Sequence, residues 1–415
     1  MKKLLVVAVI IVLLVAAYFV AVTMLDRQVQ DVRRTVLAAG HPMTMKELAV
    51  RRAQGSAELS RLLAQADTAL DEKKEKGLLA RADTGQLDPA EAKALLGRNG
   101  RALDLLLAAA RYPAGSMEFD PGAGLAAQLP PTLKRSFDFG ALLRLQARDL
   151  LAAGKPDEAM DVLVSDVHLA DLLPSGTELI FSLVRANDLN RTLRLMRDVG
   201  PKCSGPALAR AADAVAALAR AKELLRVWET EYVTMDEYLA RPTTAALGIA
   251  DADNLLNRFL IFFPLTNRIA QSYSQVVHQR CLEIAARPWY EANRQWDSLD
   301  RVQQQMSRQH SPLAGLMLPN GKLFATRIAK LQAEQVVTLA GFQILEYRQG
   351  RGTLPATLAD IHAPDVTDPF TGKPLNYVTD GTGFRLYSLG EDQQDNSGDP
   401  KADIAWSVLK GETLP

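Results

Sequence analysis

Apolar side chains fall into three patterns along this chain. From Leu4 to Thr23 they follow one another without a charged residue, close to the ~20 residues a helix needs to cross a bilayer. From Ala57 to about residue 310 they return at helical spacing instead. Leu59, Leu62, Leu63, Ala66 and Leu70 stand at i, i+3, i+4, i+7 and i+11, one face of an amphipathic helix. Asp88-Pro89-Ala90-Glu91 predicts a helix start, with the aspartate as cap, proline in the first turn and glutamate at the third position. Further helices are predicted over Phe139 to Ala153, Pro156 to Leu173, Thr177 to Val199, Pro206 to Tyr238, Ala252 to Ala286 and Glu291 to Gln309. A last helix spans Leu323 to Arg348. Only beyond it do short strand-like runs appear: Leu375 to Val378 and Phe384 to Ser388, a hairpin around Asp380-Gly381, and then Ile404 to Val408.

The predicted fold class is therefore mainly α: an N-terminal transmembrane helix, an all-helical bundle or irregular helical-hairpin array, and a small α+β domain with a short antiparallel sheet. The segments are residues 1–25 (signal anchor), 26–56 (juxtamembrane), 57–320 (helical domain) and 321–415 (α+β domain with an acidic loop). Leu150-Leu151-Ala152-Ala153-Gly154-Lys155-Pro156-Asp157-Glu158-Ala159 resembles the turn of a tetratricopeptide-type hairpin. It lacks a second copy at a fixed period, which favours an irregular bundle. The looser stretch from Tyr112 to Leu133 reads as a surface connection.

Charge narrows the partners. The 48 basic and 48 acidic side chains cancel, and the basic ones are spread through the helices, so the clustered positive field that nucleic acid requires is missing. Lys2 and Lys3 before the apolar run place the N-terminus in the cytoplasm and the bulk of the chain outside it; a cleaved signal peptide is the rival reading. In an oxidising compartment Cys203 and Cys281 either pair or remain two buried thiols.

Candidate chemistry is sparse. His41, His168, His278, His310 and His362 are scattered, without metal-ligand spacing, and His168 and His278 read as surface or locally hydrogen-bonded. Trp228, Glu229, Tyr232, Asp236 and Glu237 share one helical stretch. They read either as a solvated face with aromatics inward or as a hydrolase cleft with paired carboxylates. Phe259-Leu260-Ile261-Phe262-Phe263-Pro264-Leu265 reads as buried between helices, with a membrane or partner contact as the alternative.

The C-terminal series is the most specific. Asp368-Pro369-Phe370-Thr371-Gly372-Lys373-Pro374 runs into Leu386-Tyr387-Ser388-Leu389-Gly390 and an acidic loop closed by Asp403-Ile404-Ala405-Trp406. Over residues 323–408 this order resembles the C-terminal domain of the major pseudopilins of type II secretion systems. The pseudopilin Gly-Phe junction and helix glutamate do not occur in Met1 to Thr23, so the resemblance is confined to the far end. It implies a Ca²⁺ held by the Leu389 carbonyl and the carboxylates of Asp392 and Asp403. Ala402 stands where the family often has a side-chain oxygen ligand, and Asp395, Asn396 and Asp399, in the variable part of the loop, are the candidates to replace it. A loop of carboxylates and carbonyls suits this hard cation. The functional expectation is a membrane-anchored, exported bacterial envelope protein of the inner membrane, an interaction or scaffolding module with a protein partner, linked to secretion or pilus-like assembly. The alternative is a periplasmic hydrolase.

Overall fold

The computed structural model describes residues 2–50, 56–70, 72–117, 135–172, 179–218, 223–240, 264–309, 320–361 and 366–409. Among these the chain is mainly helical, with one N-terminal apolar helix and a small three-stranded antiparallel sheet near the C-terminus. Helix α1, Lys2–Ala38, is unbroken. It is the one helix among the described residues long and apolar enough to cross a membrane. Leu5, Leu13, Leu14 and Phe19 on it are exposed, whereas Val29, Val32 and Val36 are buried against the body of the protein. The membrane-type segment thus continues into the core without a linker. A short helix α2, Met45–Val50, follows.

Helices α3 (Ala57–Ala69), α4 (Glu72–Asp83), α5 (Pro89–Arg98) and α6 (Gly100–Ala109) form around the leucine stripes expected of them. Asp88 caps α5 through Ala90 N and Glu91 N, with Pro89 in the first turn. Leu59, Leu63, Leu95, Leu103 and Leu106 meet Phe139, Leu142 and Leu143 in one apolar core. The last three lie on α7 (Ser136–Ala152), which turns back at Gly154, φ +74°, into α8 (Pro156–Ala170).

A second, larger core runs from Val32 and Val36 of α1 through α9 (Leu179–Val199), α10 (Gly205–Ala217), α11 (Glu223–Ala240), α12 (Pro264–Ala285) and α13 (Trp289–Gln309) to Trp406. Its axis is α14, Gly321–Arg351, buried along most of its length and capped by Asn320 and by left-handed Gly352. The single helix expected over Pro206 to Tyr238 is two elements, α10 and α11, on either side of residues 219–222, which lie outside the described part. No Gly or Pro separates them. They differ in partners: α10 packs on α8 and α14, α11 on α12. Similarly, the helix expected from Ala252 is described from Pro264 onward. Most of the apolar run 259–265 and of the loose stretch 112–133 lies outside the described residues.

Strands β1 (Asn376–Thr379), β2 (Phe384–Ser388) and β3 (Ile404–Ser407) pair in that order, Tyr377 facing Leu386 and Leu386 facing Trp406. The hairpin falls where Asp380-Gly381 predicts it, with the Asp380 carboxylate accepting from Thr382 N and Gly383 N. The sheet rests on α14. A Cβ on Gly341 would stand 2.0 Å from the Trp406 indole, so the close approach requires glycine. Glu334 of α14 is buried between Arg194 and Arg197 of α9. Burial alone raises a carboxyl, but the two guanidinium groups hold this one below its ordinary range. Cys203 and Cys281 are both free and buried, which selects the unbridged reading.

Candidate functional site

The acidic loop leaves β2 at Leu389 and returns at Asp403. Its path needs left-handed backbone at Gly390, Gln393 and Ser397, and a Cβ on Gly390 would stand 2.8 Å from the Ala402 carbonyl. Asx-type bonds shape the rest. Asp392 Oδ1 accepts from Gln394 N at 3.0 Å, Asp395 Oδ1 from Ser397 N at 2.9 Å and from the Tyr387 hydroxyl at 3.0 Å, and Asp399 Oδ1 from Lys401 N at 3.0 Å. Under the loop sits Asp368, 1% exposed, whose carboxylate accepts from Phe370 N, Ser388 Oγ and Leu389 N. Asp368 thus ties the segment from Pro369 to Gly372 to the loop entrance through a contact 21 residues away.

Asp403 is the centre of the arrangement. It is 4% exposed; Oδ2 accepts from Gly398 N at 2.7 Å, and Oδ1 is buried with no hydrogen-bond partner. Desolvation lifts its pKa above the ordinary carboxylate value, with bonds from Gly398 and Asn396 opposing and the charges of Asp392 and Asp395 adding to the rise. The structure therefore gathers Asp392, Asp395 and Asp403 within electrostatic reach of one another. Asp399 contributes through its backbone, its carbonyl accepting from Asp403 N at 2.7 Å. Among the described residues no three His, Cys, Asp or Glu side chains form a ready-made metal cluster. A cation here would draw part of its shell from carbonyls such as those of Leu389 and Ala402. The residues fit a hard ion: the donors are all oxygen, and a buried carboxylate oxygen lacks a partner.

The acidic-aromatic helix α11 departs from the solvated-face reading. Glu229, Glu231 and Asp236 are buried, and only Glu237 is exposed, so the solvated face is corrected for all but the last. Glu229 Oε1 meets His41 Nδ1 at 2.8 Å, and Asp236 is bound by Arg33 of α1 and by Gln271 and Gln275 of α12. Tyr232 donates to Gln275. Trp228 stacks on Trp296. Glu229 thus ties α11 to the connection after α1, Glu231 accepts from Leu179 N of α9, and Asp236 fastens α11 to α1 and α12. His278 is buried too, its Nδ1 bonded to the Ser274 carbonyl at 2.8 Å. Desolvation presses its pKa down to about 4, so it is a neutral core residue, locally hydrogen-bonded as one of its two readings had it. His168 is exposed as expected; it borders an open groove of about 710 Å³ lined by Leu107, Tyr112, Pro113, Val162 and Ala217.

No family model, no curated protein and no solved structure matches this chain.

Proposed function

We propose that this protein is a membrane-anchored, exported bacterial envelope protein that acts as a scaffold for protein contacts. We propose further that its C-terminal segment is stabilised by Ca²⁺ and that the protein serves secretion or pilus-like assembly. The observation that carries the anchoring is the continuity of α1: an apolar segment long enough to cross a bilayer passes unbroken into the core. A helical body mounted in this way keeps a set orientation to the bilayer, as a scaffold requires. The lysines before the span favour a cytoplasmic N-terminus and an external body. The groove beside His168 is of a size that accepts a peptide segment or side chains of a partner. In the loop, a bound cation would screen Asp392, Asp395 and Asp403 from one another and give Asp403 Oδ1 a partner.

The test is fractionation of the full-length chain with reporter fusions at its C-terminus. Resistance to alkaline carbonate extraction, with a C-terminal phosphatase fusion active and a fluorescent cytoplasmic reporter silent, is the expected result. Release by carbonate, or the opposite reporter pattern, would overturn it.

A further inference from the structure

The stripe of α1 that packs on the body does not stop where the apolar segment begins. Tyr18, Val22, Leu25, Val29, Val32 and Val36 follow one another at intervals of four and three, a continuous helical face. Val29, Val32 and Val36 are buried, and Tyr18, Ala21, Val22 and Leu25 are half-buried. Shielding by the helix itself does not explain this, because Ala8, Ala16 and Ala17 on the same helix are exposed while Ala21 is not. Part of the body therefore lies alongside α1 as far down as Ala21. That is two residues, or about 3 Å at 1.5 Å per residue, inside the Leu4 to Thr23 stretch.

The register of α12 gives the same level independently. Asp26 of α1 pairs with Arg268 of α12 at 3.2 Å. Further along, Arg33 reaches Asp236, which also receives Gln271 and Gln275. The two helices are thus parallel, and the first residue of α12, Pro264, stands about 6 Å before Arg268, level with residue 22 of α1. Helix α11 comes down antiparallel to α12, with Leu239 against Ala270, and by the same register stops level with about residue 28 of α1, so α12 reaches further toward the apolar stretch than α11.

We infer that the foot of the helical body, at the start of α12 beside Ala21 to Leu25, is seated in the bilayer at the boundary of headgroups and acyl chains. The protein would then hold the lipid surface by a second contact besides its span. The inference rests on α1 being a membrane span, and it adds the depth of the body. Apolar faces at interfaces bury about 5–10 Å into that boundary, and the few ångströms that the α1 stripe and the start of α12 require lie within that reach. The side chains at this level have the matching order: a tyrosine at Tyr18, an amphipathic residue type favoured at interfaces, and a charged pair, Asp26 and Arg268, one to two turns further out. Leu265 of α12 stands level with residue 23 of α1 and Ile269 about one turn further out, and neither is fully buried.

Site-directed depth measurement on the full chain tests this. Cys203 and Cys281 are buried, so a single added cysteine takes an environment-sensitive fluorophore. The probe is placed by Leu13→Cys, Leu265→Cys, Ile269→Cys or Gln86→Cys, and each labelled protein is reconstituted into phosphatidylcholine and phosphatidylglycerol vesicles with or without lipid spin-labelled at acyl carbon 5. The expected result is quenching of at least half the emission at Leu13 and Leu265, weaker quenching at Ile269 one turn further out, and none at Gln86. Quenching at Leu13 with none at Leu265 or Ile269 would overturn the seated foot and leave the span intact. Absence of quenching at Leu13 would overturn the span and the seat with it. Leu265 and Ile269 are read separately, so a fold defect in one variant, seen as a lowered melting temperature, leaves the other to decide.

Discussion

Two sets of three aspartates stand in this molecule, and they meet the same electrostatic difficulty in opposite ways. Asp83, Asp166 and Asp188 come from α4, α8 and α9 and surround Arg144 of α7, which is fully buried. Its Nε bonds Asp83 at 2.7 Å, and its Nη1 bonds Asp166 at 3.0 Å and Asp188 at 2.9 Å. Arg191 also reaches Asp83. Asp392, Asp395 and Asp403 come from one loop, where the Arg385 guanidinium is bonded to backbone, its Nη1 donating to the Ser397 carbonyl at 2.8 Å. In the first set a covalently attached cation joins the two apolar cores; in the second a cation from solution would add to the charge of Arg385. Burial teaches the same lesson in each: taking a carboxylate out of water raises its pKa, and positive charge beside it only opposes the rise. Desolvation lifts Asp188 to about 7 although Arg144 opposes it and Asp166 adds to the rise. Asp403 is lifted by desolvation with Asp392 and Asp395 adding.

Removing the attached cation is the severest way to break the comparison. Arg144→Met leaves three carboxylates buried without their shared partner, and loss of one member of a buried ionic set costs about 3–5 kcal/mol. Denaturant unfolding should show that loss, and Asp188→Asn in the same chain should restore part of it. A melt unchanged by Arg144→Met would show that the set contributes nothing to folding.

Supplying the missing cation to the other set is the converse. Calcium added to chelated protein should raise the unfolding temperature, because a ligand confined to the folded state stabilises it by about 2.7 kcal/mol at a hundredfold excess over Kd. Asp392→Ala and Asp403→Ala should abolish the shift, Asp380→Ala in the hairpin should preserve it, and magnesium should substitute poorly. If calorimetry finds no heat of calcium binding, the loop is a solvated acidic turn.

Packing around Arg144 gives a smaller effect. A Cβ at Gly140 would stand 2.6 Å from both Arg144 Nη1 and Asp188 Oδ1, so Gly140→Ala should cost about 1–3 kcal/mol by overpacking. Thermal melts of Gly140→Ala beside a control such as Gly97→Ala, where the added carbon meets nothing within 4 Å, would show it.

The pH dependence is the finest distinction. Asp188 binds its proton more tightly folded than unfolded, so its stabilisation is complete below the ordinary carboxylate pKa of about 3.9 and is lost as pH rises toward about 7. The slope reaches at most about 1.4 kcal/mol per pH unit for one proton. Asp188→Asn should flatten it. Asp403 has the same sign in chelator, and calcium should reverse it by favouring the ionised form. Chemical denaturation at pH 5, 6, 7 and 8, with and without calcium, separates the two.

Much of the fold is legible from spacing. The leucine stripe from Leu59 to Leu70, the Asp88 cap, the Gly154 turn and the hairpin around Asp380-Gly381 depend on neighbours within a few residues, and local sequence carries them. The loop aspartates were legible for the same reason, since Asp392 to Asp403 lie within one short segment. The buried charges were not. Glu229 and Asp236 sit on α11 at the spacing of an ordinary solvated face, and Asp166 and Asp188 look no different from surface aspartates on α8 and α9. Their burial follows from partners far away in the chain, Arg33 for Asp236 and Arg144 for Asp166 and Asp188, and no local pattern announces such pairs.

By itself, the sequence determined where helices and strands form, which segment is apolar enough to span a membrane, and which loop concentrates oxygen donors, because propensity, periodicity and turn chemistry are short-range. Only the tertiary structure decided that α1 runs without a break into the core, that α10 and α11 are separate elements, and that one aspartate set encloses an arginine. It also decided that Asp403 keeps a buried oxygen without a partner. These outcomes depend on which helices meet, and the free energy of a charge or an apolar face is set by what is packed against it.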